Sequence, residues 1–159
     1  MGKLKIYLDT SVISHLNAED TPEKMQDTLK FWENVKSNKF DVFISEKTLV
    51  EIGKCYESKR LFMIEELSKI NYIKLDFDKE SDVLSQIYLS TGTLKMKSKD
   101  DAIHIAIASK NRCDVILSWN FKHFVNPKII NMVLRVNLSE GYKVPTIVTP
   151  KSILEMEDD

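Results

Sequence analysis

Asp100 and Asp101 open the stretch SKDDAIHIAIASK, Ser98 to Lys110, whose other central residues are almost all apolar or small. A helix of that composition is buried on most sides, so fixed negative charge at its mouth needs a compensating partner. Other oxygen-bearing residues stand directly after strand-like apolar runs. Asp9, Thr10 and Ser11 follow KIYL, Ser45 and then Glu51 follow DVFI, and Ser118, Trp119 and Asn120 follow DVIL. Carboxylates gathered in one place repel one another, and desolvation sharpens the repulsion. Protons, basic partners or a cation relieve it. Hard oxygen donors suit Mg²⁺ or Mn²⁺. Such an ion polarises a phosphoryl oxygen and activates water, which is the chemistry of phosphodiester hydrolysis.

Every one of these residues has a plainer reading. Asp101 lies three positions after Ser98, as in a capping box. Asp9 is placed to cap the helix that follows it. Glu51 is placed to pair with Lys47 or Lys54 along a helix, and Asn120 suits a turn. The weight therefore rests on several such residues reaching the same sheet edge.

The elements that must bring them there are legible in outline. KLKIYLD alternates, with Leu4, Ile6 and Leu8 on one face, and predicts a strand. TSVISHLN predicts a short helix, and PEKMQDTLKFWENVKSN a longer one with Pro22 at its first position. FDVFIS predicts a strand, and Ser45 caps a helix over EKTLVEIGKCYES. RLFMIEELSKI is a further helix, YIKLD a strand, and KESDVLSQIYLST and KDDAIHIAIASKN two more helices. DVILSW is a continuous apolar run, as in a parallel strand covered on both faces. PTIVTP is a last strand and KSILEM a closing turn of helix, while the residues between Asn120 and Pro145 receive no element. Met25, Leu29, Trp32, Leu61, Phe62 and Ile64 are expected in the core, with a dimer face or a groove for a partner helix as the alternative for some of them.

Strands alternating with helices predict an α/β, three-layer fold with a mainly parallel central sheet flanked by helices. In such sheets ligands bind beyond the carboxyl ends of the strands. A chain of 159 residues suits a single domain, here 1–159. The net charge of −1 provides no global attraction to nucleic acid or membrane, so any nucleic-acid contact must be local. No strand is followed by a Gly-rich loop, which weighs against a phosphate or nucleotide binder. No segment approaches ~18 uncharged apolar residues, and MGKLKIYLDTS lacks the apolar run of a signal peptide. Cys55 and Cys113 form no zinc-type set and suit a reducing compartment. The expected location is cytoplasmic, without a membrane partner.

These motifs resemble the PIN domain, and within it single-domain VapC-like toxins. YLDTSVI is similar to the family's opening strand and first acid, SEKTLVEI to its second motif, KDDAIHIAIA to its third and ILSWNFKHF to its fourth. The resemblance covers nearly the whole chain. It implies Asp9, Glu51 and Asp101 as ligands of Mg²⁺ or Mn²⁺, with Asn120 at the fourth position, where the family carries Asp or Asn. Thr10, Ser11, Asp100 and Ser118 are candidate supports. It also implies an endoribonuclease acting on single-stranded RNA, frequently a homodimer and sometimes bound by an antitoxin. Asn120 is neutral, which keeps a second reading in view: the same fold as an RNA- or protein-binding module without turnover.

Lys97, Lys99 and Lys122 are candidate RNA contacts, with Lys95 and His123 close in sequence. Trp119 or Phe121 offers a surface for base stacking, although a Trp between strand and helix usually fills a core. His104 falls one turn after Asp101; it is expected to be a satisfied core histidine, with orientation of a carboxylate as the alternative. His15 receives no role.

Overall fold

Residues alternate between two cores along each of the central strands, and that alternation builds the molecule. The computed structural model describes residues 2–157; Met1, Asp158 and Asp159, the ends of the expected 1–159 domain, lie outside the described residues. Five strands, β1 (Lys5–Leu8), β2 (Asp41–Ser45), β3 (Ile73–Leu75), β4 (Val115–Leu117) and β5 (Thr146–Val148), form one sheet in the order β3-β2-β1-β4-β5. Every pairing is parallel, with Tyr7 opposite Phe43 on one side and Ile116 on the other. Ile6, Leu8, Val42, Ile44, Val115 and Leu117 point into one core, while Tyr7, Phe43, Ile116 and Ile147 point into the other. Sheets buried on both faces require this continuous apolar character.

Helices cover both faces. On the first core lie α1 (Thr10–Ser14), α2 (Pro22–Lys36), α3 (Glu46–Gly53), α4 (Glu57–Ser68) and α8 (Pro150–Glu157), contributing Val12, Trp32, Ile52, Met63 and Ile153. On the second lie α5 (Lys79–Ser90), α6 (Lys99–Lys110) and α7 (Pro127–Glu140). The expected three-layer α/β architecture is the observed one. Helix α6 is deeply enclosed: Ala102, Ile105, Ala106, Ile107 and Ala108 are all fully buried. Each buried Ile side chain contributes about 1.5–3 kcal/mol relative to exposure, and the alanines let α6 lie close to the sheet and to α5. Such a helix holds the residues at its first turn rigidly.

Several expectations need correction. Residues 127–140, given no element above, form α7. Its signals are regular: Asn126 caps it, Pro127 opens it, Ile129, Met132, Val133 and Val136 share a buried face, and Gly141 ends it at φ 81°. The helix expected over 46–58 stops at Gly53, and a new one starts at Glu57. Leu61 and Ile64 lie on the exposed side of α4, because Met63 and Leu67 occupy its inner face. Trp32 is buried and Phe62 partly so, whereas Leu4 precedes the first strand and is largely exposed.

Candidate metal centre

Strand β1 stands at the centre of the sheet, with β2 on one side and β4 on the other. The chain order reverses direction there, which opens a crevice at the carboxyl end of β1. Asp9, the residue after β1, sits in that crevice and is 6% exposed. It occupies the N-cap position of α1 but makes no side-chain cap bond. Its Oδ2 instead accepts from Ser11 Oγ at 2.7 Å and from Ser118 Oγ, after β4, at 2.8 Å. Oδ1 has no hydrogen-bond partner among the described residues.

Glu51 comes from the next layer of the crevice. Ser45 ends β2 and caps α3 in a capping box with Thr48. The resulting helix brings Glu51 toward α1, where Oε1 accepts from Thr10 Oγ1 and from His104 Nε2, each at 2.6 Å. Burial would raise the Glu51 carboxyl, but the His104 bond and charge, with Thr10 and Lys47, hold it below its ordinary value. Oε2 is left without a hydrogen-bond partner among the described residues.

Asp101, in the first turn of α6, lies near enough to Asp9 for their charges to interact, but it falls outside the group of ligand atoms lying within 4.8 Å of one another, which joins Asp9, Glu51 and His104. The capping box suggested by its spacing does not form, since Ser98 makes no side-chain cap bond. Asp101 Oδ2 instead accepts from His123 Nδ1 at 2.8 Å, leaving Oδ1 without a partner among the described residues. Burial raises the Asp101 carboxyl, and the neighbouring charge of Asp9 raises it further against the opposing field of His123. The two carboxylates therefore feel each other, which is the repulsion a cation relieves. Asp100 faces elsewhere. Its Oδ1 is paired with Lys47 Nζ at 2.7 Å, and that bond keeps its carboxyl below the ordinary value.

At all three carboxylates one oxygen is anchored by hydrogen bonds and the other has none among the described residues, Asp9 Oδ1 lying 4.0 Å from His104 Nε2. His104 contributes more than the sequence suggested. It is fully buried, Nδ1 lies 2.5 Å from Tyr7 Oη, and Tyr7 Oη lies 2.8 Å from Ser45 Oγ. Burial disfavours its charge, but the bond to Glu51 and the fields of Asp9, Glu51 and Asp101 outweigh that, so its value is raised. With Nε2–H donated to Glu51, Tyr7 supplies the proton to Nδ1 of the neutral ring. One ligand-type atom each from Asp9, Glu51 and His104 lies within 4.8 Å of the others, and with both ring nitrogens hydrogen-bonded His104 positions Glu51 rather than coordinating. The donor set, two or three carboxylates with free oxygens beside one imidazole, fits a hard divalent cation.

The remaining positions are placed as follows. Asn120 Oδ1 accepts from the backbone N–H groups of Lys122 and His123, both at 2.9 Å, so it organises the turn that presents His123. Ser118 Oγ also accepts from the Asn120 N–H at 2.9 Å. Trp119 is 6% exposed and donates its indole N–H to Thr28 Oγ1 at 2.9 Å, so its ring is packed rather than open. Phe121 is half exposed, with Lys24 Nζ 5.1 Å above its ring. Lys97, Lys99 and Lys122 are exposed. His15 donates to the Ser11 carbonyl across 2.7 Å and lies against Trp119. The support from Tyr7 and the His123–Asp101 bond went unseen in the sequence. Only the helical spacing of His104 from Asp101 hinted at the first of these partners.

The molecule is thus an α/β domain with a parallel sheet and an acidic crevice at its central switch point. The chain belongs to the PIN domain family, which it matches over residues 5–122. Among similar solved structures is VapBC2 from Rickettsia felis bound to a DNA fragment from its promoter. It has a TM-score of 0.58 and 14% identity, covering 92% of this chain and 98% of that one. DNA-bound VapBC from Salmonella typhimurium has a TM-score of 0.52 and 20% identity over the same shares. At these identities the likeness concerns the fold. A search of curated proteins finds no match. Among the described residues no helix is long and apolar enough to cross a membrane.

Proposed function

We propose that this PIN domain protein is a Mg²⁺- or Mn²⁺-dependent endoribonuclease that hydrolyses phosphodiester bonds of single-stranded RNA. The observation that carries this reading is the common arrangement of Asp9, Glu51 and Asp101, each anchored through one oxygen. In support, ligand atoms of Asp9, Glu51 and His104 lie within 4.8 Å of one another, and Asp101 is close enough to Asp9 for their charges to interact. Asp9, Glu51 and Asp101 would hold the ion, with His104 beside them. A divalent cation there supplies positive charge to the phosphoryl oxygens and acidifies water. The protein's own part is positioning. Ser11 and Ser118 fix Asp9, Thr10 and His104 fix Glu51, and His123 fixes Asp101. Such anchoring of ligands raises affinity, because the carboxylates need not reorganise when the ion binds.

The structural neighbours are toxin–antitoxin complexes, which supports the reading of this chain as the toxin of such a pair, acting in the cytoplasm as a homodimer with an antitoxin partner. Cys55 and Cys113 are both free thiols, in keeping with that compartment. The single domain is taken as 1–159. RNA cleavage in Mn²⁺ tests the activity. Wild type should cleave, and folded Asp9→Asn and Asp101→Asn should not; equal cleavage by all three would refute the assignment.

One observation favours a second reading, a binding module without turnover. Asn120, at the fourth acidic position, is neutral and spends its carbonyl oxygen on two backbone donors. Titration with Mn²⁺ separates the two readings, since an inactive site should take up the ion poorly.

A further inference from the structure

The imidazole that fixes Asp101 also forms the wall of a second cavity. A cleft of about 250 Å³ lies against its other side. Lys95, Lys97, Lys122 and Lys128 line this cleft, with Ser98 and His123 on the side facing the acidic site. His123 Nε2 lies 3.3 Å from Ser98 Oγ, while Nδ1 holds Asp101. One aromatic ring therefore separates the cleft from a proposed metal ligand.

The charge of this cleft is one-sided. The whole chain has a net charge of −1, yet among the described residues no Asp or Glu lines the cleft. Among the described residues none of its four ammonium groups has a carboxylate within salt-bridge distance. By contrast, Lys47, Lys69, Lys110 and Lys143 are each paired with an acid. Four exposed ammonium groups gathered without a counter-charge present a local positive field that draws anions. The N-terminal end of α7, at Asn126 and Lys128, opens on the same cleft and adds the positive end of a helix dipole. An adjoining depression shares Thr93 and Lys128 and adds Arg135, again with no acidic residue among the described ones. The result is a basic track that starts at the acidic crevice and runs along α7.

We propose that this track is a phosphate-binding subsite for single-stranded RNA. It holds the backbone on one side of the bond to be cut, leaving the scissile phosphate at Asp9, Glu51 and Asp101. The volume agrees: the cleft is smaller than the ~300–1,000 Å³ typical of pockets that enclose a whole ligand, and its lining is charged rather than apolar. Lysines on flexible stems grip phosphates without reading bases, so the subsite sets the register of the strand and not its sequence. Lys99 and Trp119 lie outside this cleft.

The subsite rests on the nuclease reading for its biological meaning, but its test is independent of turnover. Binding of a short fluorescently labelled single-stranded RNA is followed by anisotropy in EDTA, across a range of salt concentrations. Replacing Lys95, Lys97, Lys122 and Lys128 together by Gln should weaken binding at least about tenfold at moderate salt. The log K versus log salt plot should flatten by about 0.7 for each phosphate no longer neutralised by a lysine. A charge-matched control carries Gln at Lys3, Lys30, Lys74 and Lys151, which are remote from the cleft, and should keep both affinity and slope. Unchanged binding by the cleft variant, or an equal loss in the control, would overturn the proposal. Loss confined to the cleft variant, in a wild-type protein that never cleaves RNA with Mn²⁺, would sink the nuclease reading and leave the subsite standing.

Discussion

His104 and Ser109 stand on the same helix, about one and a half turns apart, and each anchors a buried polar network. Around Ser109 the groups are neutral. Asn137 Nδ2 donates to Ser109 Oγ at 2.9 Å and to the Lys143 carbonyl at 3.0 Å, and Tyr88 Oη donates to Asn137 Oδ1 at 2.6 Å. Ser109, Asn137 and Tyr88 are fully buried. Around His104 the chain from Ser45 through Tyr7 ends on Glu51, a carboxylate that is partly exposed. The first network closes on itself and ties α5, α6 and α7 together. The second leads from the core to charge at the surface and stops with oxygens to spare. Both arrangements are buried and polar, but a structural network consumes its donors and acceptors, while a functional one retains acceptors for a ligand.

Substitutions can sharpen or break that contrast. The largest effect is expected for Asp9→Asn, which should lower the RNA cleavage rate by about 10²–10³-fold, the scale of losing one preorganised charged group. Thermal unfolding should change little, because the amide keeps an oxygen for Ser11 and Ser118. Asn137→Ala should do the reverse. It strips partners from Tyr88, Ser109 and the Lys143 carbonyl, and should cost about 2–4 kcal/mol in denaturant unfolding. Cleavage per folded molecule should stay unchanged; if Mn²⁺ affinity fell as well, the two networks would not be separable.

His104→Leu removes the group that fixes Glu51 and should weaken Mn²⁺ binding by about 10–100-fold in calorimetric titration. His104→Gln, which keeps a donor for Glu51, should recover part of that loss. Tyr7→Phe should cost about 2 kcal/mol of stability, because the hydroxyl bonds to both Ser45 Oγ and His104 Nδ1 are lost, and should leave metal affinity nearly intact.

The smallest effect lies outside both networks. Asp78 caps α5 through the Ser81 N–H at 2.8 Å and pairs with Lys110 Nζ at 2.6 Å, bridging α5 to the end of α6. The Lys110 bond, with Ser81, holds its carboxyl down at about 2. A depressed folded value stabilises the protein above the ordinary aspartate value of about 3.9, and the contribution is lost as pH falls toward about 2. Asp78→Ala should therefore cost about 1 kcal/mol near neutral pH, mainly as a lost cap. It should also flatten the acid limb of the stability curve, and an unchanged limb would show that the pair contributes nothing in solution.

The sequence by itself determined the layer order and pointed to the sheet edge where the candidate site lies. Alternation of apolar residues in KIYL, DVFI and VIL, with helices between them, leaves a parallel sheet covered on both faces as the economical burial of those side chains. The residues after those strands then fall at one edge by geometry alone. Helix α7 was legible too, in its Pro127 start and Gly141 stop, although its apolar face was given no element. What only the tertiary structure decided is which oxygen of each acid is occupied, and by what. His123 reaches Asp101 across 22 positions, His104 reaches Glu51 across 53, and Ser118 reaches Asp9 across 109. Side-chain partners so far apart leave no periodic trace in a sequence. The same ignorance hid the difference between Asp100, taken by Lys47, and Asp101, turned inward: neighbouring residues on a helix point about 100° apart, and only the packing of α3 and of the Asn120 turn shows which direction leads to the site.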